Sequence, residues 1–123
     1  MKLINMTPHP VRIYGAGTPD RVEDPDDGVV RVLEPSGEFA RLSESVLGED
    51  TVLDEEGAEI PVSLVSYAEV EGLPEPQEGV AYVVPVMTAL AAAGRTDLLV
   101  PYEQVRNQEG TVVGCRRLGR VAR

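Results

Sequence analysis

His9 is the only histidine and Cys115 the only cysteine in a chain of 123 residues. Imidazole and thiol chemistry are therefore confined to one position each. His9 stands between Pro8 and Pro10, a stiff setting that would hold an imidazole in a defined place. Ser36, Ser43, Ser45, Ser63 and Ser66, with many carboxylates, supply the residue types of a Ser–His–acid triad. No Gly-x-Ser-x-Gly elbow accompanies them, and an exposed or hydrogen-bonded turn histidine is the favoured reading. Cys115 falls in a predicted strand between Gly114 and Arg116. Strand neighbours point to opposite faces, so Arg116 would not activate the thiol, and a buried structural cysteine is expected. A lone cysteine excludes an internal disulfide, and one Cys with one His fits no structural zinc site.

Residues 20–28 carry several carboxylates but lack the calcium-loop pattern with its terminal Glu, and read as a solvated acidic loop. Gly15-Ala16-Gly17-Thr18 leads into Pro-Asp rather than a helix, so it is no dinucleotide fingerprint. No metal and no cofactor are expected. Gly94-Arg95-Thr96-Asp97 falls where a helix hands over to a strand. Arg95 could grip a carboxylate or phosphate through two N–H groups, but Asp97 is the nearer partner and a structural pair is favoured. The candidate ligand-binding set is Thr7, His9, Tyr82, Arg95, Asp97 and Arg106, with no residue assigned a catalytic role.

The elements that must position these residues are short. Residues 2–6, 11–14 and 29–33 read as strands, the first two separated by Thr7-Pro8-His9-Pro10. Residues 39–42 read as another short strand, while 43–50 carry no clear signal. Residues 51–53 and 60–70 flank Asp54-Glu55-Glu56-Gly57, a hairpin loop with Gly at a left-handed position. Ile60, Val62 and Leu64 share one face of the second strand, and Val65 and Tyr67 the other; a bulge near Leu64-Val65, or burial of both faces there, would explain this change of phase. Val80 to Val84 is apolar on both faces, as a central strand should be. A helix follows over about 86–93, opened by Pro85 and stopped at Gly94. Residues 98–100 are a strand ended by Pro101, and Tyr102–Arg106 and Thr111–Leu118 flank the turn Asn107-Gln108-Glu109-Gly110.

This is an α+β pattern, mostly antiparallel β, with eight or nine short strands and one short helix. Residues 1–123 read as a single compact domain with a frayed tail at 119–123. Trp is absent and Phe39 is the only Phe, so the core is expected to rest on Val, Leu, Ile and Ala. The longest nearly apolar stretch, 79–93, is too short and too broken to span a bilayer, so no membrane association is expected. No signal-peptide pattern opens the chain, and a cytoplasmic location is the default.

Charge is unevenly spread. Between Asp20 and Glu78 stand 18 acidic and three basic residues, whereas from Thr88 onward there are three acids and six arginines. The net charge is −10, which opposes general binding to DNA, RNA or anionic lipid.

Leu3-Ile4-Asn5-Met6-Thr7-Pro8-His9-Pro10-Val11 resembles the opening of small uncharacterised proteins of actinobacteria, other bacteria and their phages, which share a TPHxV-like motif. The likeness continues through Pro35-Ser36-Gly37, Gly72-Leu73-Pro74-Glu75-Pro76 and Tyr82-Val83-Val84 to Val113-Gly114-Cys115-Arg116. The resemblance implies a stand-alone domain of phage or mobile-element origin, and brings no activity with it.

Two functions are expected to compete. The leading one is a non-enzymatic acidic binding or accessory protein acting through protein contacts, with a basic protein as partner. The alternative is a small-anion or nucleotide-binding domain, or a weak hydrolase, using His9, Arg95 and Asp97.

Overall fold

The computed structural model describes residues 2–122 except Ala93, with nothing said of the side chain of Ala68. Among the described residues there are nine strands and one short helix. The strands are β1 (Lys2–Asn5), β2 (Val11–Tyr14), β3 (Arg21–Val22), β4 (Val29–Leu33), β5 (Arg41–Leu53), β6 (Glu59–Glu71), β7 (Val80–Val83), β8 (Leu98–Asn107) and β9 (Val112–Gly119). The helix α1 spans Val86–Ala91. The fold is α+β, as the residue pattern predicts.

One sheet runs in the order β1-β7-β8-β9-β2-β4, with β3 paired to β8. β5 and β6 form a separate two-stranded sheet. The longer ladders, β5–β6 and β8–β9, are antiparallel, as is β2–β4; β1–β7, β7–β8, β2–β9 and β3–β8 are short parallel ladders. The β7–α1–β8 crossover explains one parallel pair: a helix is needed to carry the chain back to the same end of the sheet.

β7 is buried on both faces. Tyr82 and Val84 join Met6, Ala40, Ala89, Leu98 and Val100 on one side, while Val83 meets Val11 and Cys115 on the other. A third cluster gathers Tyr14, Val22 and Val105. The core departs from the expected Val, Leu, Ile and Ala mixture: Tyr14 and Tyr82 are its largest fully buried side chains, and no Ile is fully buried. With neither Trp nor a buried Phe, tyrosine supplies the ring volume that close packing demands.

Three boundaries differ from the sequence pattern. β8 does not stop at Pro101 but continues through it to Asn107. β7 pairs with β8 only as far as Leu99, so Pro101 needs no N–H toward that neighbour, and β9 takes over opposite Leu118. Residues 43–50 are strand, which makes β5 13 residues long, the same length as β6. At the other end, Gly119 belongs to β9, Arg120 Nε donates to Thr96 O at 2.9 Å and Val121 packs on the core, where the sequence predicts a frayed tail. Ala93, the last residue of the predicted helix, lies outside the described residues.

The 20–28 loop exposes its acids, yet it is tied down. Val22 is buried, the Tyr14 hydroxyl donates to Pro25 O, and Arg116 reaches both Thr18 O (2.8 Å) and the Asp20 carboxylate (2.7 Å).

Candidate functional site

The β5–β6 ribbon leaves many of its apolar side chains in solvent. At about 3.3 Å per residue, 13 residues reach about 43 Å. Its main packing against the rest of the chain is with α1, near its root. Ala40 N donates to Met6 O at 3.0 Å there, and Leu42 lines a cleft together with Met87 and Thr88. Beyond the root no second layer covers the ribbon among the described residues, and apolar side chains on both of its faces meet solvent.

The register places its side chains. Val52 opposes Ile60, Asp50 opposes Val62 and Gly48 opposes Leu64, so Val52, Ile60, Val62 and Leu64 form one apolar stripe. All four are exposed, Leu64 by 62%. Leu53 and Val46 are exposed on the other face. Of the two explanations for the phase change at Leu64-Val65, the bulge holds and burial of both faces does not; the extra residue is Leu47 on the opposing strand, exposed by 66%. The tip is acidic and well formed: Asp54 Oδ1 accepts from Glu56 N (2.8 Å) and Ala58 N (2.9 Å), with Gly57 left-handed. Residues 41–71 hold nine acids and one arginine, a balance of −8 that leaves only −2 for the remaining chain.

The six residues singled out in the sequence do not converge on one cavity. Arg95 and Asp97 do meet. Arg95 Nε donates to Asp97 Oδ1 at 2.8 Å and Nη2 to Oδ2 at 2.7 Å, while Nη2 also donates to Pro74 O at 2.9 Å. Their side chains are mostly buried. The hydrogen bond to Asp97 raises the guanidinium pKa above its ordinary value, and the same bond lowers that of the carboxyl. The pair borders an open cleft of about 380 Å³ between residues 76–80 and 94–97. Its chemistry is that of a clamp: it ties the end of the helix crossover to the 72–76 connector.

Thr7 and His9 lie at the other end of β1, on a largely apolar cleft of about 430 Å³ shared with Val84, Pro101 and Val113. His9 is exposed, and the hydrogen bonds place its carbonyl rather than its ring in the local network. Tyr82 is in the core, its backbone N–H bound to Asp97 O at 2.8 Å. Arg106 closes the β8–β9 turn, donating to Gly110 O at 2.8 Å.

Asn5 was not among the predicted residues. It is buried, and all its polar capacity is used. Nδ2 donates to His9 O and Leu33 O, both at 2.9 Å, and Oδ1 accepts from Thr7 N at 2.9 Å and lies 2.6 Å from Thr7 Oγ1. It therefore organises the Thr7-Pro8-His9-Pro10 corner and joins it to β4. An asparagine at a strand end, before two prolines, was the available signal, because strands disfavour Asn unless its amide bonds backbone.

Cys115 is fully buried, as expected, and burial pushes its thiol pKa up. Among the described residues no cluster of His, Cys, Asp and Glu could hold a metal ion, and no helix is long and apolar enough to cross a membrane. No protein-family model, curated protein or solved structure matches the chain.

Proposed function

We propose that this chain is a non-enzymatic binding or accessory protein that acts through protein contacts made by its β5–β6 arm. The observation that supports this most is the arm itself: a long ribbon with apolar side chains exposed on both faces and most of the chain's net negative charge. Exposed apolar patches of this kind, rimmed by charge, are typical of surfaces that become buried in a complex. The acidity directs the arm to a basic partner and away from nucleic acid. A cytoplasmic setting, and origin in a phage or mobile element, go with this reading.

The small-anion or hydrolase alternative draws less support. The Arg95 fork is spent on Asp97 and Pro74 O, and His9 lies on a different cleft from that pair.

Site-specific photocrosslinking in native cells tests the proposal. A photoreactive residue at Leu53 or Leu64 should give a discrete protein adduct, and the same group at Glu78 or Thr111 should not. Arm positions that crosslink no more than those controls would refute it.

A further inference from the structure

The arm needs an occupant of opposite charge with an apolar seat. The described body of the same chain carries one. A groove of about 490 Å³ runs beside the end of β9, lined by Val100, Tyr102, Arg117, Leu118, Arg120 and Val121. Tyr102 is 58% exposed, an unusual state for a large ring in the middle of a strand. An unusual backbone stands next to it. Glu103 is the one non-glycine residue with a left-handed backbone among those described, at φ 55°. A non-glycine residue there is strained, and such strain persists where surrounding contacts hold it and clusters at functional surfaces. Here the contacts are Arg117 Nε at 2.6 Å and Arg116 Nε at 3.6 Å from the Glu103 carboxylate. The Arg117 side chain is still 67% exposed, and a guanidinium has five donors, of which Glu103 engages Nε. Arg120 is also exposed, with Nε on Thr96 O.

We infer that the arm of one copy seats in this groove on a second copy. This rests on the reading of the arm as a protein-binding surface, and replaces a basic partner protein with a locally basic seat on a second copy. The Val52, Ile60, Val62 and Leu64 stripe covers Tyr102, Leu118 and Val121, while the acids of the tip, Asp54, Glu55 and Glu56, face Arg117 and Arg120. Charge selects this arrangement over arm-to-arm pairing. Two arms each with a balance of −8 repel, whereas the groove offers two exposed guanidinium groups. The contact joins two different surfaces, so after the first contact one copy keeps its groove unused and the other its arm. Assembly of this kind continues until it closes into a ring or grows as a filament.

Sedimentation velocity of the full chain, from micromolar to sub-millimolar concentration, tests the inference. Wild type should form species larger than a dimer, and raising salt from about 0.05 to 0.5 M should weaken association about tenfold or more. An arm variant, Ile60→Ser with Leu64→Ser, and a groove variant, Arg117→Glu with Arg120→Glu, should each be monomeric. Mixed together they should form one 1:1 pair that grows no further, because only one intact arm and one intact groove can meet. Circular dichroism establishes that each variant is folded. If the double arginine variant is not, Arg120→Glu alone serves, with about a tenfold loss expected. A monomeric wild type throughout the range overturns the inference but leaves the arm free to serve another protein. Assembly that survives the groove substitutions removes the groove as the seat. Only absence of arm crosslinks to any protein would overturn the underlying reading as well.

Discussion

Asn5 and the Arg95–Asp97 pair carry the most structural consequence per residue. Asn5→Ala leaves the partly buried Leu33 carbonyl without its side-chain donor and the His9 carbonyl with only Thr7 Oγ1, and a loss of about 1–3 kcal/mol in urea unfolding is expected. Asn5→Asp is the sharper test, since a carboxylate cannot donate to either carbonyl. It should be worse than alanine at neutral pH and recover part of the loss in acid, where a protonated carboxyl regains one donor. For Arg95 and Asp97, each single alanine change should cost about 1–3 kcal/mol and the double change less than the sum, because removing one partner strands the other in a mostly buried site. The sign of the pH dependence follows from the lowered Asp97 pKa. Its contribution is fully present above the unfolded carboxyl value of about 3.9 and is lost as pH falls through the folded value. Wild type should therefore lose more stability than Asp97→Asn in unfolding titrations carried below about pH 4.

The arm is the element on which the functional reading stands, and its root is set by a single close approach. Gly72 has φ 81°, and a Cβ there would run into the Phe39 carbonyl. Gly72→Ala should therefore disturb the junction, with a cost of about 2 kcal/mol and slowed or lost association, whereas Gly48→Ala, with open space around it, should do neither. Replacing residues 44–67 by a short turn should leave the body folded with little change in thermal midpoint, because the arm packs mainly on itself and, at its root, on α1. Collapse of the near-ultraviolet tyrosine signal in that variant would show that the arm is part of the fold after all. The bulge in this ribbon was readable from the phase change at Leu64-Val65; that Leu47 supplies the extra residue was not, since either strand could absorb the mismatch.

For the molecule as a whole, net charge sets the behaviour in salt and toward polyanions. Below the concentration of assembly, a rise from tens to hundreds of millimolar salt should raise the melting temperature, because screening relieves repulsion among the acids of 20–78. Anisotropy titrations near physiological salt should show no sequence-independent micromolar binding to duplex or single strands. The residue pattern sufficed for the α+β class, the β7–α1–β8 crossover, the buried cysteine and the two hairpin turns, because each rests on local periodicity or on a turn residue that works wherever it stands. It also placed Arg95 with Asp97, two residues apart on one turn. Tertiary structure alone decided the order of the sheet and the passage of β8 through Pro101, which depend on where a neighbouring strand ends. It alone separated Thr7 and His9 from Arg95 and Asp97, and only there do Ile60, Val62 and Leu64 prove to be an exposed stripe rather than core. The physical reason is that alternation in a strand marks a face to be covered, while what covers it is a long-range pairing that no local pattern encodes.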